Sequence, residues 1–271
     1  DSRLGDLGEH DLLLPEPGPS RARLEMAVGF DAKVAAQWTG GDPDANLTAT
    51  ITIGSNSNRV LYAVGYALSN TNAVHTIGAF AGGGGGTWTR VAQLTSTPGL
   101  GTELSIWRSI GPATGAQTIT WARIDGNNNA IDVCLVSLYN VSQSAPEQGT
   151  ASNTGTDASP TVTITSTSGN YVLDIAAEIT DTSTFGGTGF GTVLDSRETA
   201  GNISTAASRA AATGNMASTW TVSIAGAWSD LAVSVAAEAI LKVSGVSSAG
   251  GIGRVAGVAW ANIKKVAGVS A

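Results

Sequence analysis

Apolar and polar residues alternate with a period of two in short runs along most of the chain, and one such arrangement is written twice. In Asn46–Leu68, NLTATITIGSNSNRVLYAVGYAL, Thr48, Thr50 and Thr52 alternate with Leu47, Ala49 and Ile51; a Ser/Asn turn and the longer apolar run Val60–Leu68 follow. Pro160–Ile179, PTVTITSTSGNYVLDIAAEI, repeats the order with Thr161, Thr163 and Thr165, a Ser/Gly/Asn turn, and Tyr171–Ile179. Alternation places the threonines on one face of a half-buried strand and the apolar residues on the other. The apolar run that follows predicts a strand set deeper in a sheet.

The likeness continues. Gln117–Trp121, QTITW, leads through a polar turn into Ile131–Tyr139, as Ser218–Ser223, STWTVS, leads into Asp230–Ala236. The spacing between matched segments varies, which excludes a short-period solenoid. Shorter strand patterns occur at Leu24–Phe30, His75–Phe80, Ser105–Ile110 and Gly186–Leu194. Ile203–Ala212 is small and polar; its part Ser204–Ala212, STAASRAAA, is compatible with helix by propensity, but its counterpart LSIWRSI reads as strand, so strand is expected. Together these predict an all-β fold: a jelly-roll-like β-sandwich of about ten to twelve strands. Two similar halves, 24–141 and 160–239, would face each other across one core.

Three stretches fall outside that pattern. Residues 1–23 carry Pro15, Pro17 and Pro19 and suit an extended arm rather than helix or central strand. Gly82–Gly86 is a run of glycines leading into Thr87-Trp88-Thr89-Arg90-Val91. Without the Gly-Lys-Ser/Thr of a phosphate cradle it predicts a flexible hairpin tip. Ser142–Ser159 reads as a polar connector between the halves.

The last segment, 240–271, holds the sharpest repeat. Ile240-x-x-Val243-x-x-Val246, Ile252-x-x-Val255-x-x-Val258 and Ile263-x-x-Val266-x-x-Val269 share the pattern Ile-x-Lys/Arg-Val-x-Gly-Val, with Trp260 between the last two copies. A unit this small does not bury its own apolar face, so neighbouring copies or chains must supply the contacts. These ten residues are therefore the expected assembly surface. Short strands and turns are expected; an amphipathic helix competes, at a cost of about 0.5–1 kcal/mol for each internal glycine.

Composition narrows the function. Charged residues are 13%, apolar residues 42%, and the net charge is −7; this is neither a disordered chain nor a basic nucleic-acid binder. No apolar run is long enough to span a bilayer, no secretory signal is present, and an opening Asp1 suggests a processed or partial product. One cysteine, Cys134, allows no intrachain disulfide and reads as a small core residue.

Candidate chemistry is sparse. Asp174 and Glu178 share a face of one strand, but their Cα atoms are roughly 13 Å apart, against about 5–9.5 Å between glycosidase carboxyl groups. His10 and His75 have no metal-ligand spacing, and the turn Asp125–Asp132 lacks the Gly and Glu of a calcium loop. No nucleophilic triad is apparent. The expectation is a protein without enzymatic activity, cofactor or metal. Seven tryptophans leave one binding possibility: Trp88 and Trp107, with Trp121, Trp220 and Trp228, as a platform for stacking sugars, although inward-facing core positions are the default.

The doubled Thr-rich strand, the segments GTWT, SIWR and QTITW, and the terminal Ile-x-Lys-Val-x-Gly-Val repeats resemble β-sandwich modules and end repeats of virion proteins from tailed bacteriophages. That resemblance implies a structural component of a phage-like virion: head decoration, neck, fibre or tail protein. Its partners would be other virion proteins and copies of itself, a trimer by analogy, with no nucleic-acid or membrane partner. The alternative is a carbohydrate-binding adhesion module that takes a host-surface glycan through exposed tryptophans.

Overall fold

A computed structural model describes residues 23–39, 46–69, 80–96, 101–121, 128–179, 183–199, 203–241, 254–255 and 258–259. The regular structure is all strand. In the first half these are β2 Gly29–Thr39, β3 Leu47–Ile53, β4 Val60–Ser69, β5 Phe80–Gly82, β6 Thr89–Ser96, β7 Gly101–Ile110, β8 Gly115–Trp121 and β9 Asn128–Tyr139. The second half has β10 Glu147–Gly155, β11 Thr163–Ser166, β12 Tyr171–Ile179, β13 Phe185–Gly189, β14 Thr192–Thr199, β15 Ile203–Ala211, β16 Gly214–Ala217, β17 Thr219–Val222 and β18 Ala227–Val235. Towards the ends lie β1 Arg23–Glu25, β19 Ala239–Leu241, β20 Arg254–Val255 and β21 Val258–Ala259. The chain divides into two compact units, a body of residues 25–239 and the ends, 1–24 with 240–271. The ladders β1–β19 and β20–β21 are the described pairings of the end segments.

Within the body the two halves have the same topology. The first half forms a five-stranded antiparallel sheet in the order β2-β9-β4-β7-β6 and a three-stranded sheet β3-β8-β5. In the second half the large sheet runs β10-β18-β12-β15-β14, and the small layer is the two pairs β11-β16 and β13-β17. Strand for strand these orders match, with β16 and β17 together replacing β8. Each half is a five-on-three sandwich. In each half the large sheet takes the first, eighth, third, sixth and fifth strands in that order, and the small layer takes the second, seventh and fourth.

The matched Thr-rich and apolar runs are β3 with β4, and β11 with β12. In β3 burial deepens at Ile51 and Ile53 while Thr48, Thr50 and Thr52 stay exposed, and Thr50 and Thr118 share a hydroxyl contact of 3.1 Å across the β3–β8 ladder. β4 is buried from Val60 through Ala67 because layers cover it on both faces. One face of β4, β7 and β9 packs against one face of β12, β15 and β18. Tyr62, Val64, Leu104, Val136 and Leu138 meet Leu173, Ile175, Leu231 and Val233 in a shared core. The opposite faces pack under the small layers: Leu61, Ala63, Leu135, Phe80, Trp88 and Trp121 in the first half; Val162, Ile164, Val172 and Phe190, then Ala176, Ala206 and Trp220, in the second.

The body is therefore four layers of strand. Its large sheets face each other about an approximate two-fold relation, β6 against β10 and β18, and β14 against β2 and β9. It contains seventeen strands and separate outer cores in addition to the shared one, where alternation alone suggests fewer strands and one core. An apolar run buried on both faces does not announce how many layers cover it.

Two further expectations are corrected. The glycine run is a crossover between sheets and not a hairpin tip, since β5 belongs to the small layer and β6 to the large sheet. Gly82, Gly83 and Gly84 take φ of 91°, 93° and 57°, and a Cβ on Gly82 would fall 2.2 Å from the Thr118 carbonyl oxygen. The polar connector contains β10, the counterpart of β2. As an edge strand paired with β18 on one side, it buries little and carries almost no apolar pattern.

Candidate functional site

The concentration of chemistry that the fold does not require lies on the outer face of the second large sheet. Strand alternation turns Asp174 and Glu178 of β12 away from the shared core, and Asp230 of β18 does the same. In the β12–β18 ladder Asp174 pairs with Ala232, Ala176 with Asp230 and Glu178 with Trp228. Asp230 therefore sits diagonally between the two acids of β12, and all three are 0% exposed. Asp174 and Glu178 alone are too far apart to act together; the partner strand supplies the missing member.

Their environments differ. Asp174 accepts four hydrogen bonds: from the Ser208 N–H at 2.7 Å, the Ser208 hydroxyl at 2.5 Å, the Ser218 hydroxyl at 2.5 Å and the Trp220 indole N–H at 2.9 Å. A set made wholly of donors suits a carboxylate. Burial pushes Asp174 up from the ordinary aspartate range while these donors pull it back. Among the described residues, Asp230 and Glu178 have no hydrogen-bond partner on either oxygen. Burial, then the Asp174 charge, hold Asp230 well above the usual range; the Ser218 hydroxyl and Leu231 N–H act the other way without reaching bonding geometry.

A second polar group lies at the joint between the halves. Asp132 of β9, 3% exposed, accepts from the Thr205 hydroxyl of β15 at 2.5 Å and lies 3.7 Å from Arg197 Nε. Burial raises its carboxyl to about 7, against Thr205 and Arg197, which lower it. At the opposite edge Tyr62 donates to Glu147 at 2.9 Å, and Arg108 pairs with the same carboxylate. The two seams stitch one half to the other.

The residues singled out from sequence fall as follows. Trp88 is a core residue, 9% exposed, donating to the Gly82 carbonyl at 3.1 Å and lying 5.0 Å from Phe80; it does not present a free stacking face. Trp107 is half-buried, with the Arg90 guanidinium 5.6 Å from its ring and its indole N–H bonded to Ser105. Trp121, Trp220 and Trp228 are buried. Ile240 falls in β19, Val255 in β20 and Val258 in β21. Val243, Val246, Ile252, Trp260, Ile263, Val266 and Val269 lie outside the described residues, as do His10 and His75.

Cys134 is free and buried, its thiol pushed up to about 12 by burial. Among the described residues no group of three or more His, Cys, Asp or Glu is arranged to hold a metal ion, and no helix is long and apolar enough to cross a membrane. Sequence reasoning missed Asp230. The signal was present in the matched halves: where the first half has Ala63, Ala67 and Val133, the second has Asp174, Glu178 and Asp230. Comparison with protein-family models, curated proteins and solved structures gives no match.

Proposed function

We propose that the protein is a non-enzymatic structural subunit of a phage-like virion, with a rigid body as its building block and its ends as the means of joining copies of itself and other virion proteins. The observation that carries this reading is the division of the chain into a body of residues 25–239 and a separate unit made of both ends. The body spends both large sheets on each other and encloses Asp174, Glu178 and Asp230 together with Trp88, Trp121, Trp220 and Trp228. Such a body favours a block over a binding cleft. The repeats in 240–271 supply apolar faces too small to bury themselves, which suits contacts between chains.

The glycan-binding alternative draws little support from Trp88, which is packed in the core. The test is a chain lacking residues 240–271. Circular dichroism should show an unchanged strand signal, while sedimentation and particle incorporation should show assembly lost. A truncated chain that still assembles would sink the proposal.

A further inference from the structure

We propose that the small layer of the second half is a pH-gated lid: it closes over the buried acids Asp174, Asp230 and Glu178, and loosens from the large sheet when Asp230 ionises. The inference concerns the body alone and does not depend on the assembly reading.

The way the lid is attached is the first argument. In the first half the small layer is continuous, β8 pairing along its length with β3 from Leu47–Trp121 to Ile53–Gly115. In the second half β16 and β17 are separate ladders on either side of Ser218, and the backbone bonding runs on past it, the Trp220 and Val222 N–H groups donating to the Pro160 and Ala158 carbonyls at 3.1 Å each. Ser218 donates its backbone N–H to the Val162 carbonyl at 2.8 Å and its hydroxyl to Asp174. Trp220, two residues on, also donates to Asp174. The lid is thus anchored through its middle by one buried carboxylate.

The second argument is the imbalance of charge beneath it. Asp174, Glu178 and Asp230 share one face. On β10, Asn153 is opposite Asp230, and beyond that strand Asp157 accepts the Trp228 indole N–H. β11, β13, β16 and β17 carry no titratable side chain. The basic residues of the second large sheet, Arg197 and Arg209, are turned to the shared core, where Arg197 meets Asp132 and Arg209 lies over Phe30. Among the described residues no cation faces the row. The first half has one buried acid on its matching face, Glu103, and Arg90 lies 3.8 Å from it.

An ionised Asp230 beside Asp174, with no cation and no donor in reach, is a charge for which only water compensates. Admitting water means lifting the lid. Protonation is thus favoured in the closed layer, and rising pH drives the layer open.

Hydrogen exchange by mass spectrometry on the full chain, from pH 5 to pH 9 and corrected for intrinsic rates, tests this. Protection in 161–166, 185–190 and 214–222 should fall at least tenfold more across that range than protection in 47–53 and 115–121. Asp230→Val, which installs the first-half residue, and Asp230→Asn, which keeps the shape, should each flatten the dependence. A lid whose protection tracks that of the first half's layer at every pH overturns the proposal. So does an unchanged pH dependence in whichever of the two variants folds.

Discussion

In the first half the large sheet offers Ala63, Ala67 and Val133 to Phe80 and Trp121 of the small layer, and apolar packing closes the sandwich. The same positions in the second half are Asp174, Glu178 and Asp230, and the small layer is held by hydrogen bonds to one of them. Yet strand order and the shared core are common to both. The difference teaches that the topology is set by alternation, turn positions and the shared apolar face. The outer core tolerates different chemistry provided that its polar atoms are handled. The first half handles its single acid with Arg90; the second handles Asp174 with four donors and leaves two carboxyls unpaired.

The largest effect should come from putting the second half's charge where the first half closes by apolar packing. Ala63→Asp faces Trp107 across one ladder and Leu135 across the other, and an uncompensated buried carboxylate costs roughly 3–5 kcal/mol. Urea denaturation should show that loss, or failure to fold. Next is the reverse exchange. Asp174→Ala leaves the Ser208 N–H, two hydroxyls and the Trp220 indole without an acceptor, for a loss of about 3 kcal/mol. Equal tolerance of both exchanges would erase the distinction between the halves.

A pH-dependent effect belongs to the joint they share. The Asp132 carboxyl titrates at about 7 in the folded protein, above its ordinary range near 3.9. Its favourable contribution is therefore complete below about pH 4 and is lost as pH rises through 7, on the order of 4 kcal/mol. Asp132→Asn should remove that slope from a plot of unfolding free energy against pH. Smallest of all, Cys134 should resist thiol reagents at neutral pH in the folded protein and react once it is unfolded, because burial both shields it and keeps it protonated.

Much of this fold was legible in the chain. The pairing of Thr-rich and apolar runs located β3, β4, β11 and β12, and the comparison with LSIWRSI correctly made 203–211 a strand against the helical preference of its alanines. β10 was not legible: Glu147–Gly155 has hardly any apolar side chain, and its ladder with β18 is what makes it extended. The number of layers was hidden because β4 and β12 are covered on both faces, so their pattern cannot count what covers them. The acid row was half legible. Asp174 and Glu178 were visible as neighbours on a strand, but Asp230 joins them only through the register of β12 with β18, which no local pattern encodes.

The most direct test of the contrast between the halves replaces the unpartnered Asp230 by its first-half counterpart, Asp230→Val, and follows urea unfolding of variant and native chain from pH 5 to pH 9. A raised folded-state carboxyl pKa gives stability that is lost as pH rises, so the variant should gain on the native protein steadily with pH and be the more stable of the two at pH 9. A variant that is less stable by the same amount at every pH would contradict the account, since Asp230 would then be supporting the second half and not burdening it.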